Sequence, residues 1–379
     1  MRTSLVKLHR YLGLGMALFL LCAGLTGSVI AFQDRFEIWL NPELFVIDEV
    51  GEPSLSATQL VAHIEASDPR IRVNYQPIVS AASYALVSYV EPRHNPVTGE
   101  PYDIDYDEVF INPVTGEIKG KRMWGECCLQ RKNLIPFIYK LHNRLLLPKP
   151  LGSRIMGIIA LLWVLMSLIG LYLTMPRGKQ FLKKWKRAWT VQWRYPWKVK
   201  FLQLHKSIGL WCWLLMLSSA LTGLSMNLED ELFNPLVETV SSYSKTDVAD
   251  EASLPANAVD FSSALEIAVE YAERNQLAVL PRVVKYSAST NQYRVNLAQP
   301  GTLGLGPITV YVGAGSGEVL AVADPAGDTA GDFVAALRLP LHSGRVAGTA
   351  GSVLVALTGL MTALMVIFGV SMWFRRRFR

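Results

Sequence analysis

Long apolar runs alternate with long polar ones along this chain. Four uninterrupted apolar runs, roughly 12–32, 155–175, 208–228 and 350–374, each supply the about 20 residues that a helix needs to cross a hydrocarbon core about 30 Å thick. Only helices and closed barrels satisfy their backbone polar groups in lipid, so runs of this kind predict four transmembrane helices. In the polar segments the periodicity changes. Residues 56–67, SATQLVAHIEAS, predict an amphipathic helix; residues 82–90, ASYALVSYV, alternate as a strand does; and residues 107–122, DEVFINPVTGEIKGKR, predict a hairpin around Pro-Val-Thr-Gly. The later segment follows the same plan, with a helix in SSALEIAVEYAERN (262–275), a strand in NQYRVNLA (291–298) and a hairpin in ITVYVGAGSGEVLAVA (308–323). Each is a small α+β module.

The pattern occurs twice in finer detail too. Residues 8–42, LHRYLGLGMALFLLCAGLTGSVIAFQDRFEIWLNP, and 204–235, LHKSIGLWCWLLMLSSALTGLSMNLEDELFNP, both open on Leu-His and a base, pass through Leu-Thr-Gly, turn acidic and close on Asn-Pro. A second pair starts at Leu141 (LHNRLLLPKPLGSR) and Leu341 (LHSGRVAGTAGSV). The expected organisation is a duplicated helix, outer module, helix unit. A first helix spans 1–33, and an outer module with an interfacial helix spans 34–150. The second helix spans 151–176, a basic loop 177–205 and the third helix 206–228. The second module spans 229–345, and the fourth helix with a basic C-terminus 346–379. The first apolar run follows Arg2, Lys7 and Arg10, but it is longer than a signal-peptide core and lacks a small-x-small cleavage site, so it reads as an uncleaved anchor.

Composition agrees with a membrane protein: 51% of the 379 residues are hydrophobic, only 18% are charged, and the mean hydropathy is +0.25. Charge adds an orientation. Between Arg177 and Lys206 there are ten Lys or Arg and no acid, the termini add Arg2, Lys7, Arg10, Arg375, Arg376, Arg377 and Arg379, and all 31 acidic residues fall in the two modules. The positive-inside rule then places both termini and the basic loop in the cytoplasm and the modules outside. The pI near 9.0 reflects this topology and gives no reason to invoke nucleic acid.

Four of the six histidines, His9, His142, His205 and His342, stand at equivalent places of the two repeats, at or near the start of an apolar span. Ionisable residues at membrane depth default to function. Halves related by a pseudo-two-fold axis bring equivalent residues face to face, and a six-coordinate haem needs two axial ligands on opposite sides. The expected pairs are His9 with His205 on the cytoplasmic side and His142 with His342 on the outer side, about 30 Å apart at about 1.5 Å of rise per residue. Arg10 and Lys206 beside the inner pair, and Arg144, Arg154 and Arg345 near the outer one, are candidates for the anionic propionates; ordinary interface anchoring suits each of them equally well. Gly13, Gly27, Gly170, Gly223 and Gly369 either allow close helix packing or leave room for a macrocycle. Met16, Met216, Met361 and Met365 are alternative axial ligands, more often packing residues. His63 and His94 have no equivalent partner and no assigned role.

Trp185, Trp189, Trp193 and Trp197 recur every four residues among bases and predict an interfacial helix that binds membrane lipid. Cys22 and Cys212 lie within spans; adjacent Cys127 and Cys128 lie in the oxidising compartment, where they are either two thiols or a vicinal bridge. No CxxCH occurs, so the expected haem is non-covalent b-type, two per chain. No GxGxxG between strand and helix and no GxxxxGK[ST] occurs either. Electrons must then come from a separate donor, a quinol or a cytoplasmic reductase.

The helix-entry LHRYLGLGMALFLLCAGLTG, the VFINPVTGEI hairpin and the LHNRLLLP to LYLTMPR exit resemble the PepSY-associated transmembrane family. Within it the whole chain is similar to inner-membrane ferric-siderophore reductases of the ferrioxamine and ferrichrome type. That resemblance implies haem on the transmembrane histidines and electron delivery to a periplasmic ferric siderophore, releasing Fe(II). Two other classes stand beside it: a non-redox, peptidase-binding regulator of PepSY type, and a permease, for which unbroken spans without acids offer little path.

Overall fold

The computed structural model describes residues 1–379 except 129, 243–247, 249–258, 303, 326, 328 and 378–379; the basic C-terminal Arg379 thus lies outside the described residues. The chain opens with α1 (Arg2–Ile30), α2 (Gln33–Leu40) and α3 (Pro42–Phe45), then β1 (Val46–Gly51), α4 (Ala57–Ser67), β2 (Ile71–Pro77), β3 (Ala82–Tyr84), β4 (Leu86–Pro92), β5 (Glu108–Ile111) and β6 (Ile118–Arg122). Helices follow: α5 (Arg131–Arg144), α6 (Lys149–Thr174), α7 (Phe181–Lys186), α8 (Trp197–Trp211), α9 (Trp213–Asn227), α10 (Asn234–Val240) and α11 (Phe261–Arg274). Strands β7 (Leu280–Ser287), β8 (Gln292–Ala298), β9 (Ile308–Gly313) and β10 (Val319–Ala323) precede α12 (Ala330–Ser343) and α13 (Gly348–Arg377). Two compact units result: Met1–Gln33, Ile138–Ser241 and Leu337–Arg379 form one, Asp34–Phe137 and Ser242–Ala336 the other.

The first unit is helical. Helices α1 and α6, and the helix ending in α13, are each long and apolar enough to cross a membrane. The third expected span is not the unbroken helix that the apolar run 208–228 predicts. It starts at Trp197, breaks at Cys212 and turns by 66° into α9, so three straight spans are present among the described residues, or four if the bent pair counts as one. The flanking indoles are held by different neighbours: Trp211 Nε1 donates to the Trp189 carbonyl (3.0 Å) and Trp213 Nε1 to the Ser167 carbonyl (3.1 Å). Hydropathy is blind to such a break, because every residue around it is still apolar. Helices α1 and α13 meet through glycine: a Cβ at Gly24 would lie 2.6 Å from the Gly359 carbonyl oxygen. Ser28 Oγ also donates across this contact to Ala356 (2.7 Å), the small-residue packing expected in lipid.

The tryptophan helix expected over 185–197 is also shorter than its periodicity suggests. Helix α7 ends at Lys186, a single 3₁₀ turn covers Arg187–Trp189, and the backbone is irregular up to Pro196. The Trp189 carbonyl is taken by Ser207 Oγ (2.8 Å) and the Trp211 indole, so it does not continue the helix. Trp185 and Trp189 instead pack edge to face in a row with Trp211, while Trp193 and Trp197 remain exposed.

The second unit is built on one antiparallel sheet of eight strands, ordered β10-β9-β8-β7-β2-β4-β5-β6. The strands of both polar segments join in it through β2 and β7, with Tyr75 opposite Lys285, Gln76 opposite Val284 and Pro77 opposite Val283. Alternation buries one face: Ile71, Val73, Val109, Val284, Val295 and Val310 pack beneath α4 and α11, through Ile64, Ala264 and Ala268. The two helices cap each other's first turn, Thr58 N–H donating to Ser262 Oγ (3.1 Å) and Ser262 N–H to Thr58 Oγ1 (3.0 Å). Ser56 and Gln59 complete a capping box at α4. The strand expected over 82–90 is divided at Ala85, because β3 leaves the large sheet to pair with β1, and Ala82, Ala85 and Leu44 then cover Phe110. Cys127 and Cys128 are bonded to each other. Buried Arg122 lies between Glu37 (2.8 Å) and Glu108, and also donates to the Lys132 carbonyl (2.6 Å) at the start of α5.

Candidate functional site

Within the helical unit, the four spaced histidines come together as two pairs. His9 on α1 and His205 on α8 have ring centroids 6.2 Å apart, and His142 on α5 and His342 on α12 are likewise 6.2 Å apart. Two metal–nitrogen bonds of about 2.0 Å, plus the half-ring depth of each imidazole, span about 6 Å, so one metal ion fits between each pair of rings. Two axial nitrogens are what a haem iron takes from the protein.

The hydrogen bonds of the rings decide which nitrogen is left to bind. Thr26 Oγ1 donates to the Cys22 carbonyl one turn back (2.7 Å), so its single proton is used, and it accepts from His142 Nδ1 (3.0 Å). Thr222 does the same, donating to the Ser218 carbonyl (2.7 Å) and accepting from His342 Nδ1 (2.9 Å). His205 Nδ1 donates to the Met365 carbonyl (2.9 Å). In all three rings Nδ1 carries the proton and Nε2 keeps its lone pair, the state a metal requires. The fourth ring, His9, has a buried Nδ1 without a partner among the described residues.

Glycine seats every one of these rings. The nearest atom to a Cβ added at Gly27 is His142 Cε1 (3.0 Å), at Gly170 His9 Cε1 (3.2 Å), at Gly369 His205 Cε1 (3.4 Å) and at Gly223 His342 Cε1 (3.5 Å). At four of these five glycines the structure shows a third use, clearance for a histidine ring; Gly13 faces Met166 Cε at 3.5 Å. The repeated Leu-Thr-Gly is thereby explained. Its threonine orients an outer histidine and its glycine makes room for it, and Thr26 and Thr222 are site residues that no composition signal marks. The repetition of the triplet was the available clue.

The inner pair opens into a cavity of about 800 Å³, lined by both rings and by Met16, Met166, Met216, Gly170 and Gly369, with Arg2, Arg10, Lys198, Lys206 and Arg375 around it. Arg10 and Lys206 thus line the cavity beside His9 and His205, together with Arg2, Lys198 and Arg375. The outer cations are disposed differently. Arg154 is exposed and paired with Glu231 (2.8 Å), Arg345 is exposed at the start of a short 3₁₀ turn, and Arg144 is tucked against Gly152 with Nε unpartnered. The extra base that sequence reasoning missed is Arg338 of α12, which bonds Glu229 (2.6 Å) and the Ser225 carbonyl (3.0 Å) and lies over the Phe233 ring at 4.1 Å. It fixes α12 one turn before His342. Met16 and Met216 are buried in the cavity wall, and Met365 serves through its backbone carbonyl. His63 and His94 lie in the sheet unit and belong to neither pair.

The two pairs lie at two levels of the helical unit, on four different helices. Seventeen residues of α1 separate His9 from Thr26, about 25 Å of helix at 1.5 Å per residue, slightly less than the sequence spacing suggests. Among the described residues no cluster of three or more His, Cys, Asp or Glu converges on a metal position. The model of the PepSY-associated TM region matches residues 6–376, and the chain belongs to this family. No curated protein matches the chain.

Proposed function

We propose that this member of the PepSY-associated transmembrane family is a membrane reductase that holds two b-type haems, His9 with His205 and His142 with His342, and serves to deliver electrons to an Fe(III) chelate beyond the outer face. The single observation that carries the reading is the repeated geometry: two histidine pairs at one separation, on two levels of the same bundle. When bound, haem supplies one-electron redox chemistry at a potential set by its axial ligands and burial. The chain contributes the rest. Thr26, Thr222 and the Met365 carbonyl hold three imidazoles with Nε2 free, and the four glycines give the rings clearance. Arg2, Arg10, Lys198, Lys206 and Arg375 supply positive charge for propionates at the inner level.

The family resemblance of the sequence and the basic 176–207 loop support a bacterial inner membrane with both termini inside, and duplicated halves as the origin of the paired sites. Hard oxygen donors hold Fe(III) well and Fe(II) poorly, so reduction loosens a siderophore. The donor is a separate quinol or reductase in this scheme. Visible spectra of detergent-purified protein, oxidised and dithionite-reduced, with haem counted per chain as pyridine haemochrome, test the proposal. Two low-spin haems per chain are expected. Protein expressed with ample haem that carries none would refute it. The break at Cys212 removes one objection to a permease, so uptake of intact chelate by vesicles lacking any electron donor is the competing outcome to measure.

A further inference from the structure

The second unit carries a surface that the histidine pairs do not use. One row of directly opposed side chains runs across seven strands of the sheet, on the face turned away from α4 and α11: Tyr311, Arg294, Lys285, Tyr75, Tyr89, Glu108 and Arg122. Their neighbours in sequence, such as Val295, Val284 and Val109, point into the core beneath the helices. The Glu108 and Arg122 end is buried in the ion pairs with Glu37. The middle is accessible: Tyr75 and Tyr89 stack at 4.4 Å with their planes 22° apart, and Tyr89 is 40% exposed.

The charges of this row are unbalanced. Lys285 and Arg294 sit directly opposite one another on adjacent strands, a like-charge pair that costs the sheet stability. Lys285 Nζ lies 5.4 Å from the Tyr75 ring centre, and Arg294 lies 5.5 Å over Tyr311. Among the described residues neither makes an ion pair, and neither does Arg282. Glu91, on β4 two strands from Lys285, is engaged by Asn74 (3.1 Å) and Arg72 (3.9 Å). Burial, and then the charge of Arg294, lower the Lys285 pKa. Beside the row is a hollow of about 400 Å³ lined by Tyr75, Pro77, Arg282, Val283, Asn296 and Gln299. Arg282, two amides and the Tyr75 ring line this hollow, and Lys285 and Arg294 follow next along the row; together they complement a compact anion with planar conjugated groups.

We propose that this face binds a small, multiply anionic chelate with flat oxygen-donor rings, with Lys285, Arg294 and Arg282 meeting its charge and Tyr75 and Tyr89 its ring faces. Identifying the bound species as the Fe(III) substrate rests on the reductase reading above. It also narrows that reading, since a neutral trihydroxamate complex presents no charge for these cations.

The test uses full-length protein in detergent and redox-inert gallium(III) complexes, so that binding is read apart from reduction. Trianionic gallium tris-catecholate should quench tyrosine fluorescence saturably and more weakly as salt rises, and bind well ahead of neutral gallium trihydroxamate. Lys285→Gln and Arg294→Gln should each lower affinity about tenfold, roughly one charge-assisted hydrogen bond. Lys285→Arg should retain affinity, and Tyr89→Leu should lose part of it with the charges intact. Thermal melts confirm that each variant is folded. Equal affinity of the neutral complex, wild-type affinity in both Gln variants, or equal competition by inorganic phosphate would overturn the proposal. Haem-free protein that still binds the anion through Lys285 would refute the reductase reading alone. Haem-replete protein whose binding ignores Lys285 would refute this inference alone.

Discussion

Replacing Thr222 by Val keeps the size and branching of the side chain and removes the hydroxyl oxygen that accepts from His342 Nδ1 (2.9 Å). Without metal, the freed ring can move its proton to Nε2 or turn away. With metal on Nε2, the proton must stay on Nδ1, where the hydroxyl acceptor is gone and the Ser219 carbonyl is a poorer substitute. An unsatisfied buried donor costs about 1–3 kcal/mol, which is about five- to hundred-fold in affinity at 1.4 kcal/mol per tenfold. That range agrees with the effect of losing an outer-sphere partner at other metal sites, about 10- to 100-fold. The hydrogen bond also makes the imidazole more basic and so favours Fe(III) over Fe(II). A tenfold loss confined to the ferric state would raise the midpoint potential by about 59 mV for one electron. The assay is haem titration into apoprotein followed by spectroelectrochemistry, with Thr222→Ser as the variant that keeps the hydroxyl. Thr26→Val should repeat the result through His142. If Thr222→Val binds haem with wild-type affinity at wild-type potential, the proposed role of the Leu-Thr-Gly threonine is wrong.

Further outcomes are expected elsewhere. Gly170→Val would place branched carbon against His9, whose Cε1 is already 3.2 Å from an ideal Cβ there; about half of the haem should be lost, and the remaining spectrum should match that of His9→Ala. His142→Ala or His342→Ala should likewise remove one haem and abolish chelate reduction, read by spectrum and by Fe(II) capture. Burial pushes Glu108 up to about 7 from 4.5, with Arg122 opposing the shift. The folded state therefore holds more protons than the unfolded one between those values, so its stability contribution is full below about pH 4.5 and declines as pH rises to about 7; Glu108→Gln should flatten that slope in thermal melts. Asp68 behaves oppositely: hydrogen bonding to Arg70 holds its carboxyl well below the usual range, so its contribution is complete above an ordinary aspartate pKa of about 3.9 and fades as pH falls below it. Asp68→Asn should weaken the acid limb of the stability profile.

Much of this protein is written in one dimension. A hydrophobic run of membrane length needs only composition to be recognised, and α1, α6 and α13 follow from that. The helices over 57–67 and 261–274, and both hairpins, follow from local periodicity and turn residues. The histidine partners were legible because the chain repeats itself: equivalent residues of two halves were expected to face each other, and His9 with His205 and His142 with His342 do. Arg10 and Lys206 adjoin a histidine in sequence and line its cavity in the fold.

What only the tertiary structure decided are the properties that depend on neighbours distant in sequence. The bend at Cys212 arises between indoles anchored to Ser167 and Trp189, and an apolar sequence reads the same whether straight or bent. The short tryptophan helix ends because Ser207 and Trp211 claim the Trp189 carbonyl. β2 and β7 join the strands of two polar segments into one sheet, since pairing between strands some two hundred residues apart leaves no local signature. The Thr26 and Thr222 bonds, the glycine seats and the unbalanced cations of the open sheet face arise in the same way. Periodicity determines which side of an element is buried, and only packing determines what meets it there.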